Sequence, residues 1–239
     1  MGSPSPTPLF GEVIELAEVD STNRYALDAG RPGLLVRARR QTAGRGRRGR
    51  QWFSPHGENL YLTFTMAGAE ERYPIIAGVA VREALAGMAP EFPVAIKWPN
   101  DLVLQGRKVC GILCEARAGI TAIGMGINVN QIRWPGDLER RAISLRQATG
   151  REYDLDEVAS GVAASLTSWI EAFRAQGFGP VRQAFLGHGL LLGYDVVDDA
   201  GRPCTIEDIT MDGYLVIRAN GERRTLTSET ISIGWEGTP

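Results

Sequence analysis

The sequence predicts an α+β fold, in which a mixed or antiparallel sheet with flanking helices is followed by a small C-terminal β-barrel. Three observations predict this fold class. Two apolar segments with helical spacing, at residues 74–88 and 154–176, are long enough to form core helices. Short apolar or alternating segments lie around them, as expected for strands. After about residue 187 the chain shows only strand and turn patterns, which indicates a barrel of short strands.

The first half of the chain alternates between strand and helix patterns. Residues 59–66 alternate between apolar and polar side chains, which predicts a half-buried strand. Asp20-Ser21-Thr22-Asn23 consists of residue types that cap helix N-termini, so a short helix is expected directly after it. The predicted elements are strands at 11–19, 33–40 and 59–66, helices at 24–29 and 74–88, and a polar loop rich in Gly and Arg at 41–51.

The second half begins with a predicted hairpin whose turn is Gln105-Gly106. Two loop residues pair Leu104 roughly with Arg107, so Asp101 is expected opposite Cys110 and diagonal to Lys108 on one face. The other predictions are strands at 94–98, 101–104, 108–115 and 120–129, helices at 154–176 and 180–186, and barrel strands at 194–197, 202–209, 214–219, 223–227 and 231–235. The predicted boundaries are a disordered tail at 1–8, a main domain at 9–186 and a barrel domain at 187–239.

The composition is that of an ordinary globular protein, with 44% hydrophobic and 23% charged residues in a chain of 239. No apolar run approaches the roughly 20 residues that a membrane span needs. The N-terminus lacks the features of a signal peptide, so neither a membrane partner nor secretion is expected. Three cysteines without a C-x-x-C pair argue against a disulfide framework or a zinc site. These features predict a cytoplasmic protein.

The basic residues are used unequally. Of the 26 Lys and Arg residues, 24 are Arg, and the only lysines are Lys97 and Lys108. Lysine is retained where a compact point charge or a tunable amine is required, so either lysine could be functional, although their proximity could also be chance. Seven arginines and no acidic residue lie between Arg37 and Arg50, whereas the formal net charge is −2. A concentrated basic segment in an acidic chain favours a small anion over an extended nucleic acid.

The segment Gly44-Arg45-Gly46-Arg47-Arg48-Gly49 has the composition of an anion-binding loop. Its glycines let the backbone approach a ligand closely, and its arginines offer forked donors to phosphate and carboxylate oxygens. It lacks the P-loop pattern G-x-x-x-x-G-K-[ST]. A solvated arginine loop or an RNA-binding tract would also fit, but no aromatic residue interleaves the run and the run is not repeated.

Three further segments contain candidate functional residues. Lys97-Trp98-Pro99-Asn100-Asp101, with Lys108 seven residues later, could hold a divalent cation or orient a lysine. The alternative is a cross-strand salt bridge worth under about 1 kcal/mol. Gly124-Met125-Gly126-Ile127-Asn128-Val129-Asn130 indicates either a close backbone approach or ordinary strand packing. Ser21-Thr22-Asn23 is explained by helix capping, but it would also form a small polar ligand pocket.

Taken together, these segments resemble the biotin protein ligases over about residues 11–235. The resemblance is carried, in order along the chain, by Asp20-Ser21-Thr22-Asn23, by Gln41 to Trp52 with Ser54-Pro55 and Asn59-Leu60-Tyr61-Leu62, by Lys97 to Asp101, by Arg107 to Glu115, and by Gly124 to Asn130. The resemblance implies a class II synthetase-like domain followed by an SH3-like barrel. It also implies a ligase that activates biotin with ATP to biotinyl-5′-AMP and transfers biotin to a lysine of a biotin carboxyl carrier domain.

The resemblance also implies roles for individual residues. Lys108, Asp101 and Arg45 would be catalytic, and Asn100 and Asp101 would handle the Mg²⁺ of Mg²⁺–ATP. Trp52 and Trp98 would form apolar walls near the adenylate, and Lys97 would have a secondary electrostatic role. The residues implied to bind biotin or nucleotide are Ser21, Thr22, Asn23, Gln41, Gly44, Arg45, Gly46, Arg47, Arg48, Trp52, Asn100, Lys108, Gly111 and Asn128.

Other functions remain open at this point. A lipoate or octanoate ligase or transferase of the same superfamily would share the lysine but lack the Gly-Arg loop. A nucleic-acid-binding module would use the segment from Arg37 to Arg50, against the acidic remainder of the chain. Some relatives carry an N-terminal DNA-binding domain and act as repressors. The matching region begins within about ten residues of Met1, so a ligase without repressor function or DNA partner is expected, and a homodimer is left open.

Overall fold

The computed structural model describes residues 9–189, 196–198, 201–227 and 232–233. The predicted tail at 1–8 lies outside these residues. The chain forms two compact units. Unit 1 contains the residues up to Glu70 together with Leu113–Gly126, and unit 2 contains Glu71–Ile112 together with the residues from Ile127 onward. The domain boundaries expected from the sequence, 9–186 and 187–239, stay a prediction.

Twelve strands and six α-helices occur in the described part of the chain. The strands are β1 (Glu12–Leu16), β2 (Leu34–Ala38), β3 (Leu60–Ala67), β4 (Val94–Lys97), β5 (Asp101–Leu104), β6 (Arg107–Arg117), β7 (Ile120–Ile127), β8 (Val196–Val197), β9 (Pro203–Ile209), β10 (Leu215–Ala219), β11 (Glu222–Leu226) and β12 (Ser232–Ile233). The helices are α1 (Thr22–Ala29), α2 (Tyr73–Met88), α3 (Leu138–Arg141), α4 (Leu145–Thr149), α5 (Leu155–Gln176) and α6 (Gly179–Ala184).

The strands form two sheets. The main sheet has seven strands in the order β1-β2-β3-β7-β6-β5-β4. It is mixed, because β1 is parallel to β2 whereas β2–β3, β4–β5 and β5–β6 are antiparallel. The small sheet has five strands in the order β11-β10-β9-β8-β12, and its described pairings are antiparallel. The predicted α+β class with a small, SH3-like C-terminal β-structure is confirmed.

Strand β3 is more deeply buried than its alternating pattern predicts. The prediction of a half-buried strand is wrong, because seven of its eight residues are buried. Its polar side is covered by the start of α1: the Thr63 hydroxyl lies 2.8 Å from Asn23 Oδ1 and 2.9 Å from Thr22 Oγ1. The polar residues on this face are therefore buried. Their hydroxyl groups hydrogen-bond to other buried polar groups and do not face water.

Helices α2 and α5 supply much of the core of unit 2 and pack against each other. The predicted N-cap of α5 is confirmed, because the Asp154 carboxylate accepts hydrogen bonds from the backbone N–H groups of Asp156 and Glu157. The Asn130 amide bonds to both backbone groups of Tyr153 and so fixes the chain just before this helix. No helix in the described residues is long and apolar enough to span a membrane.

The apolar periodicity of the sequence did not predict the two short helices α3 and α4. Helices α3 and α4 have four and five residues, which is too short for an apolar period to be visible. Helix α4 nevertheless carries a local signal, because Ser144 and Gln147 form a capping box. The segment predicted as a loop at 41–51 contains one turn of 3-10 helix at Arg47–Gly49.

The β5–β6 hairpin forms with the predicted turn. Gln105 and Gly106 both have positive φ, 48° and 72°, as a tight two-residue turn requires. Leu104 pairs with Arg107 as predicted, but the expected pairing of Asp101 with Cys110 is wrong. Asp101 lies opposite Gly111, because the register shifts by one residue between Leu102 and Val103.

Candidate active site

Both lysines of the chain lie beside the same carboxylate. Lys108 Nζ is 2.7 Å from Asp101 Oδ1, which confirms the predicted contact. Lys97 is the register partner of Asp101 across β4 and β5, so the two side chains project from the same face. The Lys108 and Asp101 side chains are 35% and 24% exposed, so water screens their interaction less than that of a fully exposed surface pair. We call Lys97, Asn100, Asp101 and Lys108 the lysine cluster.

Asn128, in the second half of the Gly124–Asn130 motif, fixes the backbone of Lys108. The Asn128 side chain is 2% exposed, and its amide nitrogen donates to the carbonyls of Lys108 (3.1 Å) and Ile143 (3.2 Å). The Ile143 N–H also donates to the Lys108 carbonyl, at 3.0 Å. Asn128 thus uses its amide N–H groups to hold the strand that carries Lys108, whereas the resemblance implies a position beside the nucleotide.

The residues before Asp101 are equally well fixed. The Asn100 amide donates to the Ile112 carbonyl at 2.8 Å, and the Ile112 N–H donates to the Asn100 carbonyl at 2.8 Å. Gly111 lies directly opposite Asp101 on β6. Trp98, which precedes a cis proline, is 3% exposed and donates from Nε1 to the Gly213 carbonyl at 3.0 Å. The turn between β9 and β10 of the small sheet therefore anchors the lysine cluster.

Replacing Trp98 by Phe is expected to destabilise the protein. The buried Gly213 carbonyl would lose its donor, which costs about 1–3 kcal/mol of unfolding free energy, and a chain of this size loses roughly 2–4 °C in Tm per kcal/mol. The measurement is the thermal midpoint by circular dichroism. Trp169→Phe is the matched control, because the half-buried Trp169 donates to the exposed side chain of Glu83, which water can solvate. Equal losses in the two variants would contradict the anchoring role of Trp98.

The Gly- and Arg-rich segment folds back on itself. The Trp52 N–H donates to the Gly44 carbonyl (2.9 Å), the Gly46 N–H donates to the Arg50 carbonyl (2.7 Å), and Arg45 pairs with Gln51. A short antiparallel ladder therefore holds the base of the segment, and the 3-10 turn forms its tip. Arg47 is half-buried at this tip, whereas Arg48 is exposed and has a left-handed backbone with φ of 58°.

Glu115 binds the first arginine of this segment. Arg45 Nη2 lies 3.1 Å from Glu115 Oε2, and the same oxygen accepts a hydrogen bond of 2.9 Å from the Asn23 amide. The resemblance implies ligand binding for Asn23 and no role for Glu115. The only sequence signal for Glu115 was its position at the end of the segment Arg107 to Glu115. We call Asn23, Arg45 and Glu115, with Ser21, Thr22, Gln41 and Trp52, the Gly-Arg cluster.

Ser21, Thr22 and Gln41 lie together, but not as a helix cap. Ser21 occupies the N-cap position of α1 and makes no side-chain capping bond, although its side chain is buried. The Gln41 carbonyl oxygen accepts from the Thr22 N–H (2.9 Å) and hydroxyl (3.1 Å), and its amide donates to the Ser54 hydroxyl (3.1 Å). Capping thus fails to explain these residues, which leaves the polar pocket as their better explanation.

The glycines of β7 provide space for two side chains of the Gly-Arg cluster. A Cβ atom at Gly124 would lie 2.0 Å from Asn23 Oδ1, and one at Gly126 would lie 2.4 Å from the indole of Trp52. Gly44 is equally confined, because a Cβ there would lie 2.7 Å from the Trp52 carbonyl. The close-approach interpretation of the Gly124–Asn130 motif is therefore confirmed.

The titratable groups do not indicate thiol or metal-cluster chemistry. Burial raises the pKa of the Cys110, Cys114 and Cys204 thiols, so these thiols stay protonated near neutral pH. Within the described residues, no group of three or more His, Cys, Asp or Glu side chains is arranged to hold a metal ion.

Comparisons with known proteins place this chain among ligases. A profile of the "Biotin/lipoate A/B protein ligase family" matches residues 16–131. The chain is 35% identical to the biotin--[acetyl-CoA-carboxylase] ligase of Paracoccus denitrificans, over 92% of this chain and 99% of that protein. It is 37% identical to the bifunctional ligase/repressor BirA of Escherichia coli, over 71% of this chain and 57% of that protein. A biotin protein ligase from Aquifex aeolicus, solved in complex with biotin and ATP, superposes with a TM-score of 0.85 at 30% identity, over 94% of this chain and 99% of that one.

Proposed function

Because the chain belongs to the biotin/lipoate A/B protein ligase family, we propose that it is an ATP-dependent biotin protein ligase. Its substrates are biotin, ATP and a biotin carboxyl carrier domain. One observation carries the proposal furthest: in a chain with 24 arginines, both lysines lie beside Asp101. A compact ammonium group suits a position that a carboxylate and a phosphate oxygen must share, where a planar guanidinium would not fit.

The reaction has two steps. The carboxylate of biotin attacks the α-phosphate of ATP, which forms biotinyl-5′-AMP and releases pyrophosphate. The amine of a carrier lysine then attacks the carbonyl carbon of this mixed anhydride, forms an amide and releases AMP. The first step brings two anions together, so fixed cationic donors are needed to stabilise the charge on the reacting oxygens.

The lysine cluster is proposed to act on these oxygens. Lys108 binds the biotin carboxylate and the α-phosphate, Asp101 orients Lys108, and Asp101 accepts a proton from the incoming carrier amine. The 2.7 Å contact between the two side chains supports the orienting role. The hydrogen bond from Asn128 to the Lys108 carbonyl also supports this orienting role, because it fixes the backbone that carries the lysine side chain. Gly111, the register partner of Asp101 on β6, is proposed to leave space beside Asp101 where a side chain would crowd the ligand.

The Gly-Arg cluster is proposed to bind biotin and cover the adenylate. Arg45, Arg47 and Arg48 neutralise phosphate charge from a segment that closes over the intermediate and excludes water, which would hydrolyse the anhydride. Ser21, Thr22 and Gln41 bind the ureido ring, and the hydrogen bonds between Thr22 and Gln41 pre-orient the polar groups of this pocket. Trp52 forms an apolar wall of the pocket, and its contact with Gly126 fixes the ring. Trp98 is proposed as a second wall.

Magnesium is proposed to enter as part of Mg²⁺–ATP. Asn100 and Asp101 supply one amide oxygen and one carboxylate, a donor set that suits an ion held mainly by nucleotide phosphates and water. When bound, the ion would neutralise phosphate charge. The cytoplasmic location stays a prediction from the sequence, and the oligomeric state stays open.

The experiment that tests the function is mass spectrometry of a biotin carboxyl carrier domain incubated with the protein, biotin and Mg²⁺–ATP. The expected result is the addition of one biotinyl group to one lysine of the carrier domain. Two controls apply: a carrier in which that lysine is replaced by arginine should stay unmodified, and lipoate should not substitute for biotin. No modification of the intact carrier, or equal modification with lipoate, would overturn the proposal.

A further inference from the structure

Glu115 connects the buried part of the Gly-Arg cluster to the segment that carries the arginines. Its Oε2 atom accepts a hydrogen bond from the Asn23 amide (2.9 Å) and contacts Arg45 Nη2 (3.1 Å). The Glu115 side chain is 27% exposed, whereas that of Arg45 is 47% exposed. The carboxylate is therefore the better fixed of the two partners.

The donor that holds Glu115 is itself buried and hydrogen-bonded within the protein. Asn23 is 4% exposed, its second amide hydrogen bonds to the Leu113 carbonyl at 3.0 Å, and its Oδ1 accepts from Thr63 at 2.8 Å. Gly124 leaves just enough space for this amide. Both the nitrogen and the oxygen of the Asn23 amide are thus hydrogen-bonded within the protein, and one of these bonds holds the Glu115 carboxylate.

Arg45 requires such a hold because of where it lies. The short ladder with Gln51 fixes its backbone, but a backbone ladder does not select a rotamer for the long side chain. A long, half-exposed guanidinium in that position samples many rotamers. An ion pair to a fixed carboxylate reduces the number of these rotamers before substrate binds. Less side-chain entropy is then lost when the guanidinium is ordered for the reaction.

We propose that Glu115 is a positioning residue that holds the Arg45 guanidinium ready for the anionic substrates of the adenylation step. The proposal rests on the proposed function. Glu115 touches neither biotin nor ATP in this scheme and acts through Arg45 alone. Loss of its side chain should therefore weaken the use of biotin and ATP without changing the use of the carrier domain.

The kinetic test compares Glu115→Ala, Glu115→Gln, Arg45→Ala and the double variant with alanine at both positions. In biotin-dependent pyrophosphate release, Glu115→Ala should lower kcat/KM for biotin about tenfold, or about 1.4 kcal/mol. The KM for the carrier domain should stay unchanged. The fraction of the protein that is catalytically active should also stay unchanged. Glu115→Gln keeps an oxygen acceptor and should recover part of the loss. The double variant should be no worse than Arg45→Ala, because the two residues act together.

A second measurement needs no catalysis. Trypsin cleavage of the ligand-free protein after Arg45, Arg47, Arg48 or Arg50 should be several times faster in Glu115→Ala than in wild type. Glu12→Ala is the matched control, because it removes another Arg–Glu pair, with Arg31, at 2.6 and 2.7 Å, and should leave both cleavage and activity unchanged. An inactive wild-type protein would refute the proposed function, and the cleavage assay would still test Glu115. Unchanged cleavage, or additive losses in the double variant, would overturn the positioning role.

Discussion

The variant Lys108→Arg is expected to retain less than about a tenth of the wild-type rate of pyrophosphate release, a loss of more than about 1.4 kcal/mol. Both side chains carry one positive charge, so the expected loss comes from shape and not from charge. The ammonium of Lys108 is a compact donor 2.7 Å from Asp101, whereas a planar guanidinium spreads its charge over three nitrogens and needs more space.

The measurement is pyrophosphate release with biotin and Mg²⁺–ATP in the absence of carrier, accompanied by the thermal midpoint of the variant. Arg107→Lys is the matched control, because it makes the reverse exchange at the neighbouring position of β6, outside the proposed site. It should keep nearly full activity. Lys108→Arg with more than about a tenth of wild-type activity would contradict the argument that a point charge is required at this position.

The variant Gly124→Ala is expected to damage both stability and adenylation. Its methyl group would lie 2.0 Å from Asn23 Oδ1, so the Asn23 amide would have to move. That movement would break its hydrogen bonds to Thr63, Leu113 and Glu115. Overpacking and buried groups without partners together cost about 3 kcal/mol or more. Displacing Glu115 would also release Arg45, so pyrophosphate release should fall by roughly a further tenfold, or about 1.4 kcal/mol.

The measurements are denaturant unfolding and pyrophosphate release. Gly87→Ala is the control, because a Cβ atom at this helical position meets no atom within 4 Å, and alanine there should be neutral or slightly stabilising. In the double variant Asn23→Ala with Gly124→Ala the clash is removed, so stability should partly return while activity stays low. A Gly124→Ala protein with wild-type stability would show that the space beside Asn23 is not required.

The sequence predicted the elements that have long or regular patterns. The apolar period of α2 and α5 and the caps of α5 were visible, because each depends on neighbours within a few residues. The contact between Asp101 and Lys108 was also predicted, since both residues lie in one hairpin with an unambiguous two-residue turn.

Errors arose where a distant part of the chain decides the outcome. The register at Asp101 shifted because of an irregularity in β6, which no local signal marks. Strand β3 was expected to be half-buried because Thr63 looked like a residue that faces water. Its partner Asn23, forty positions earlier, covers it instead.

From the sequence alone, the order of the motifs carried the resemblance to the biotin protein ligases and with it the expected chemistry, and the count of two lysines marked Lys97 and Lys108 as candidates. Only the tertiary structure decided how the motifs depend on one another. It places Gly124 beside Asn23, Asn23 beside Glu115 and Glu115 beside Arg45, and it anchors Trp98 to Gly213. The physical reason is that contacts of this kind join residues 70 to 115 positions apart, so they follow from the packing of strands and helices and leave no local pattern in the chain.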